Sequence, residues 1–187
     1  KVIVSGCLPM REKDEITAAY PEVDAFITLA DNPKIIEIIE NLYNVPASQI
    51  ELEVTETSVI NDIQNAISAV RKFRKKGLNV ALDDFGTGLS SLSYLKEIPI
   101  TTIKIDKSFI DGVPNSKKDS AILCAILDLC YSLDLKVVIE GVEKREQVDY
   151  LMTMPVIPVV QGYYYAKPLK VTELETWYKE MEVLKVH

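Results

Sequence analysis

The sequence predicts an α/β fold built from parallel strands, and two observations support this prediction. Short runs rich in β-branched residues alternate with amphipathic stretches along the whole 187-residue chain. Most of the strand-like runs are continuous Val, Ile and Leu runs, which are typical of a parallel sheet covered on both faces. An alternation of this kind indicates either a doubly wound sheet or a (β/α) barrel.

Seven strands are predicted in chain order, one fewer than a closed eight-stranded barrel needs. They lie near 2–6, 25–30, 50–56, 79–84, 102–106, 136–141 and 159–163. A helical pattern follows the third strand, where apolar residues recur at spacings of three and four from Ile60 to Phe73 and Gly77 is placed to end the helix. Residues 120–133 are apolar nearly all round, which predicts a well-buried helix.

Composition excludes several classes of protein. The net charge of −7 argues against binding to extended nucleic acid through a broad basic face. No apolar run approaches the roughly 20 residues that a membrane-spanning helix needs, so no membrane span is expected. The three cysteines, Cys7, Cys124 and Cys130, are too scattered for a disulfide framework, which favours a cytoplasmic location.

Polar side chains stand at or near the ends of successive predicted strands. Four strands contribute five acids, and the last strand contributes an amide: Glu56, Asp83, Asp84, Asp106, Glu140 and Gln161. In a barrel these strand ends converge on one mouth and form a single polar cluster. An alternative is that each acid caps the helix that follows it, as Asp commonly does in βα loops. Capping leaves Lys104, between Ile103 and Ile105, unexplained.

The cluster suits metal-dependent chemistry on a phosphodiester. The carboxylates of Glu56, Asp83 and Asp84 are hard oxygen ligands of the kind that Mg²⁺ or Mn²⁺ prefers. Lys104 could orient an attacking water or offset phosphate charge, and Glu140 could act as a base or support the metal or the lysine. The glycines of the segment FGTGLSSL permit a mobile loop over the mouth.

Four segments together resemble the EAL domain, the cyclic di-GMP phosphodiesterase family. They are IELEVTET, VALDDFGTGLSSLSYLKEIPITTIKIDKSFI, VVIEGVEKREQVDYL and VQGYYYAKPL, in family order and at family spacing within residues 46–187. The resemblance implies a modified TIM barrel that cleaves cyclic di-GMP with Mg²⁺ or Mn²⁺.

The resemblance also implies roles for individual residues. Glu56 and Asp83 are expected to be metal ligands, and Asp84 a ligand of a second metal. Lys104 is expected to hold the catalytic water, Glu140 to be the catalytic glutamate, and Gln161 to close the site. A further set is expected to form the loop linked to metal binding and dimerisation, or to contact the ligand: Gly86, Thr87, Gly88, Ser90 and Asp106. A homodimer is therefore a possible assembly.

Two family features are missing from the chain. The Glu-Ala-Leu sequence of an early strand, whose glutamate is a metal ligand in the family, is absent. The family's strand Asn is absent too, and Asn32 is the nearest candidate. Because Mg²⁺ depends on a small set of well-placed oxygens, this predicts an impaired metal site and doubtful activity.

The first 45 residues suggest a different origin. The segment from Lys1 to about residue 40 resembles the N-terminal flavodoxin-like domain of the methylthiotransferases, with Cys7 in the matching GCL motif. One thiolate cannot hold a four-iron cluster, so that activity is not implied. We therefore predict two flavodoxin-like βα units in 1–45, packed into the same fold as an EAL-type portion in 46–187. Three functions stay open: an impaired phosphodiesterase, a non-catalytic cyclic di-GMP-binding or interaction domain, and a designed or recombined chimeric scaffold.

Overall fold

The chain divides into two compact units, Lys1–Ile50 and Glu51–His187. The computed structural model describes residues 3–5, 25–27, 46–87 and 92–184. In the first unit, strand β1 (Ile3–Ser5) pairs in parallel with β2 (Ala25–Ile27), and a 3₁₀ turn spans Ala47–Gln49. Both strands fall within predicted ones. The flavodoxin-like nature of residues 1–45 stays a prediction, because most of that segment lies outside the described residues.

The second unit is built on a five-stranded parallel sheet whose spatial order, β3-β4-β5-β6-β7, equals the chain order. Its strands are β3 (Glu51–Thr55), β4 (Asn79–Phe85), β5 (Thr102–Ile105), β6 (Lys136–Ile139) and β7 (Val159–Val160). Its helices are α1 (Glu56–Asn61), α2 (Ile63–Lys75), α3 (Lys117–Ser132), α4 (Arg145–Leu151) and α5 (Val171–Leu184), with 3₁₀ turns at Leu92–Lys96 and Lys107–Phe109. Each of these strands overlaps a predicted one.

The helical segment after β3 is divided in two at Asp62, whereas the sequence pattern predicts one continuous helix. Asp62 has non-helical backbone angles, φ −152° and ψ 78°. Its carboxylate accepts hydrogen bonds from Asn65 N at 3.2 Å and from Asn65 Nδ2 at 2.6 Å. The cap satisfies an otherwise unpaired amide in the first turn of α2 and therefore favours a new start there. Gly77, with φ +88°, ends the segment as predicted.

Helix α3 is buried along one side, which is less than the well-buried helix that the sequence predicts. Leu123, Leu127 and Cys130 are buried at spacings of four and three, while Ile122 on another face is 39% exposed. The sheet provides one surface for the helix to cover, so a single stripe of α3 becomes core. Among the helices in the described part of the chain, none has the length and apolar content to cross a membrane.

The two faces of the sheet differ in chemistry, and this difference positions the site. Leu82, Ile103, Ile105 and Ile139 are fully buried and belong to the core shared with residues of the helices. Successive strand residues point to opposite faces, so the alternate positions carry their side chains to the other face. In β3 the residues Glu51, Glu53 and Thr55 are exposed and alternate with half-buried ones. The sequence predicts a sheet that is covered on both faces, and β3 departs from this prediction because one of its faces is exposed.

Candidate functional site

Lys104 is the centre of a charged cluster on the polar face of the sheet. Its Nζ lies 2.8 Å from Glu53 Oε1 on β3, 3.0 Å from Asp83 Oδ1 on β4 and 2.9 Å from Glu140 Oε1 just after β6. The lysine side chain is 9% exposed. Because β3, β4, β5 and β6 are adjacent and parallel, residues far apart in sequence meet at one edge.

The electrostatics of the cluster favour a charged lysine. Burial by itself lowers the Lys104 pKa, but the contacts with Glu53, Glu140 and Asp83 outweigh burial and raise the pKa above its ordinary value. The ammonium group therefore stays protonated throughout the physiological range and acts as a fixed positive charge among three acids.

Asp83 and Asp84 both reach the cluster because β4 is irregular at this point. The pairing of β4 with β5 shifts register between Leu82 and Phe85, as in a β-bulge, and Asp84 has a left-handed backbone with φ +55°. Asp is among the few non-glycine residues that tolerate this conformation. In a regular strand two adjacent side chains would point to opposite faces, so the bulge is what brings the pair together.

Within the described residues, Asp83, Asp84 and Glu140 each offer a carboxylate oxygen within 4.8 Å of the other two. The buried Asp83 Oδ1 forms an ion pair with Lys104 Nζ at 3.0 Å and has no further polar partner in the described part of the chain. A buried oxygen with unused lone pairs beside two further carboxylates is a donor set that suits Mg²⁺ or Mn²⁺. These residues therefore fit a divalent metal.

Glu56, which the sequence analysis places among the metal ligands, lies outside this cluster of three. It is fully buried, and its Oε2 accepts a hydrogen bond from Gly86 N while its Oε1 accepts one from Tyr94 O–H, both at 2.8 Å. Glu53 is the β3 carboxylate that contacts Lys104, and it is not among the site residues predicted from the sequence. The signal was present, because Glu53 shares the polar face with Thr55, whereas Glu56 begins α1.

The segment after Asp84 forms a tight turn. Thr87 N and Oγ1 both donate to Asp84 O, at 3.2 and 3.0 Å, and Gly86 has φ +97°. Burial raises the pKa of Tyr94, and the hydrogen bond to Glu56 raises it further. Gly88 and Ser90, also predicted for this loop, lie outside the described residues.

Gly86→Ala is expected to destabilise the protein by more than about 1 kcal/mol, since alanine is strained at this φ. A Cβ built on Gly86 would also come within 2.2 Å of the Phe109 ring. Chemical denaturation of the variant and the wild type would measure the loss. Gly112→Ala is unsuitable as a control, because a Cβ there would meet Asp119. Ser68→Ala on the exposed face of α2 is a better control, because alanine is favourable in a helix and no loss of stability is expected there. Equal stability of Gly86→Ala and wild type would contradict the geometry of the turn.

Two further predicted site residues have different surroundings. Gln161 follows β7, its backbone N–H donates to Ile139 O at 2.9 Å, and its exposed side chain lines an open groove of about 1190 Å³. The same groove is lined by Glu53 and Lys104, and by the aromatic residues Tyr163, Tyr165 and Trp177. Asp106 instead caps the 3₁₀ turn Lys107–Phe109, because its Oδ1 accepts a 3.0 Å hydrogen bond from Ser108 N. For this residue the structure therefore agrees with the alternative that an acid at a strand end caps the helix after it.

Asp106→Ala is expected to cost about 1 kcal/mol of stability through loss of this cap. Hydrogen bonds from Ser108 lower the Asp106 pKa, so the contribution is present above the ordinary carboxyl pKa and is lost as the pH falls through the lowered value. Urea denaturation of both proteins at neutral and acidic pH would measure it. A stability difference that stays the same at both pH values would contradict the capping role.

Comparisons with known proteins agree with this arrangement. The EAL domain family matches residues 23–168, a range that begins inside the segment 1–45. Cyclic di-GMP phosphodiesterase NbdA of Pseudomonas aeruginosa is 41% identical over 126 residues, which are 67% of this chain and 16% of NbdA. The chain therefore corresponds to a small part of that relative.

Solved structures give the same result. The structure titled PaMucR phosphodiesterase, c-di-GMP complex, superposes with a TM-score of 0.73 at 28% identity, covering 89% of this chain and 78% of that one. The manganese and cyclic di-GMP complex of Klebsiella pneumoniae BlrP1 has a TM-score of 0.65 at 29% identity, covering 72% and 34%. The fold is thus the TIM-barrel-like α/β fold of these proteins. The match of the family over most of the chain, together with these relatives, shows that the chain belongs to the EAL domain family.

Proposed function

We propose that this chain is a metal-dependent phosphodiesterase that hydrolyses cyclic di-GMP and has a weakened affinity for its metal. The observation that carries the proposal is the convergence of Asp83, Asp84 and Glu140 within 4.8 Å, beside Lys104. The substrate follows from the relatives, because NbdA is named for this activity and PaMucR is described in complex with cyclic di-GMP.

Asp83 and Asp84 would hold the metal through their carboxylates. A bound Mg²⁺ or Mn²⁺ would lower the pKa of a coordinated water and offset the negative charge of the phosphate. BlrP1 supports the choice of cation, since it is described with manganese and cyclic di-GMP together. The weakened affinity follows from the family's Glu-Ala-Leu glutamate and strand Asn, which are missing from this sequence.

The chain's own side chains would supply positioning and proton transfer. Lys104 orients the attacking water by donating a hydrogen bond to it, and its positive charge stabilises the charge that develops on the phosphate oxygens. Glu140, 2.9 Å from Lys104, accepts the proton of the water. Gln161 and the aromatic side chains of the groove bind the substrate, with amide hydrogen bonds to the phosphodiester and ring stacking on a base.

A second candidate function, binding of cyclic di-GMP without turnover, is favoured by one specific observation. Three acids of the cluster are already paired with the Lys104 ammonium, at 2.8 to 3.0 Å. A cation that enters the site must compete with these ion pairs, which lowers the gain in free energy on metal binding. The groove would then keep its ligand while the hydrolytic step is lost.

The test is a hydrolysis assay in which cyclic di-GMP and excess Mn²⁺ are incubated with the protein and the products are separated by chromatography. The proposal expects the linear dinucleotide to accumulate with Mn²⁺ and to be absent after chelation. Nucleotide that binds, as measured by calorimetry, but is recovered intact would establish the second candidate. Neither binding nor turnover would contradict both.

A further inference from the structure

Tyr94 is a buried tyrosine whose hydroxyl has one defined partner in the described structure, and that partner is a buried carboxylate. The hydroxyl donates to Glu56 Oε1 at 2.8 Å, and the two residues are 3% and 0% exposed. Burying a carboxylate is costly unless it is hydrogen-bonded, and bonds to a charged acceptor are among the stronger ones. The Tyr94 hydroxyl therefore helps to fix the orientation of Glu56.

The other carboxylate oxygen of Glu56 connects this residue to the turn beside the site. Glu56 Oε2 accepts the hydrogen bond from Gly86 N at 2.8 Å, two residues after Asp84. On its other side the same glycine faces the Phe109 ring, which leaves no room for a Cβ. The turn that follows the aspartate pair is thus held between a ring and a carboxylate.

This turn sets the backbone from which Asp84 projects. Asp84 keeps its left-handed backbone, φ +55°, while its carbonyl accepts both Thr87 bonds. A side chain at such a position moves with the turn, because φ changes there redirect the Cβ. Residues that orient the ligands of a metal without contacting the metal itself affect the metal affinity when they are mutated.

We propose that Tyr94 is a positioning residue that, through Glu56 and the Gly86 amide, holds the turn from which Asp84 reaches the metal site. The effect on metal affinity rests on the proposed function, whereas the effect on the turn does not. Tyr94 forms no hydrogen bond with Asp83 or Asp84 in the described structure, and its hydrogen-bonded connection to the turn runs through Glu56 and the Gly86 amide.

Tyr94→Phe tests the proposal, because it removes the hydroxyl and leaves the ring in the core. Two quantities are measured on the full chain: hydrogen exchange of the Gly86 amide by NMR without metal, and the Mn²⁺ dissociation constant. We expect faster Gly86 exchange and a Mn²⁺ dissociation constant raised about 10-fold, at the lower end of the range for groups that orient ligands.

Tyr131→Phe is the matched control. Its hydroxyl donates to the backbone oxygen of Val156 at 2.6 Å, in a contact that involves none of the cluster residues. The control is expected to lose stability without a change in Gly86 exchange or in Mn²⁺ affinity, which separates positioning from stabilisation.

The outcomes distinguish this inference from the proposed function. A wild-type protein that binds no Mn²⁺ contradicts the proposed function, and the Gly86 exchange comparison still decides the role of Tyr94. If Tyr94→Phe and Tyr131→Phe have the same Gly86 exchange rate as wild type, the positioning role is wrong. Faster exchange in Tyr94→Phe alone supports it.

Discussion

Replacement of Asp83 by asparagine is expected to reduce Mn²⁺-dependent hydrolysis of cyclic di-GMP by more than about 100-fold. Mutation of residues that only orient metal ligands typically costs about 10- to 100-fold, and loss of a ligand itself should cost more. The amide keeps the size of the side chain but removes the charge of a carboxylate whose buried Oδ1 lies 3.0 Å from Lys104 Nζ and has no further polar partner among the described residues. Initial rates over a range of Mn²⁺ concentrations would measure the loss.

Asp149→Asn is the matched control for this substitution. Asp149 lies on the exposed side of α4, paired with Arg145 at 2.8 Å, and a surface pair of this kind contributes little. The control should keep wild-type turnover. Comparable rates for Asp83→Asn and wild type at saturating substrate would remove Asp83 from the proposed site.

Replacement of Lys104 by methionine is expected to lower the stability of the metal-free protein and to abolish hydrolysis. Mn²⁺ should restore part of the stability but not the hydrolysis. Without metal, Glu53, Asp83 and Glu140 lose the cation that they share. The free energy of unfolding should therefore fall by about 3 kcal/mol, which is the lower end of the range for breaking a buried ion pair. With Mn²⁺, the metal replaces that charge, so the metal-induced rise in Tm should be larger than in wild type. Hydrolysis should stay lost, since no group remains to orient the water.

Thermal unfolding with and without Mn²⁺, together with the hydrolysis assay, measures both effects. Lys107→Met serves as the control, because Lys107 forms an exposed ion pair with Glu143 at 2.7 Å outside the cluster. Its Tm should respond to Mn²⁺ as the wild type does. Wild-type hydrolysis by Lys104→Met would contradict the role proposed for the lysine.

The strands and most of the cluster follow from local signals in the sequence. Apolar runs of four to seven residues, each ending in an acid, are enough to place Asp83 and Glu140 at the same edge of a parallel sheet. Lys104 stands out because an isolated cation between Ile103 and Ile105 is costly without partners. Its three partners in the structure supply that compensation.

Whether Glu53 or Glu56 joins the cluster depends on where β3 ends, and the strand predicted from the sequence extends to residue 56. The structure ends β3 at Thr55, which caps α1 by accepting from Ser58 N, and Glu56 turns into the core. Side chains alternate along a strand, so an error of one residue assigns the wrong acid to a face. The bulge at Asp84 had no sequence signal beyond the tolerance of aspartate for that backbone.

Mn²⁺ binding to the aspartate pair is the direct test of the central claim, that the cluster around Lys104 is a divalent-metal site. Electron paramagnetic resonance measures free Mn²⁺ as protein is added, for the wild type and for the double variant Asp83→Asn, Asp84→Asn. The account predicts that the wild-type protein removes the free Mn²⁺ signal saturably and that the double variant, while still folded, does not. Equal depletion of the signal by the two proteins, or none by the wild type, would contradict it.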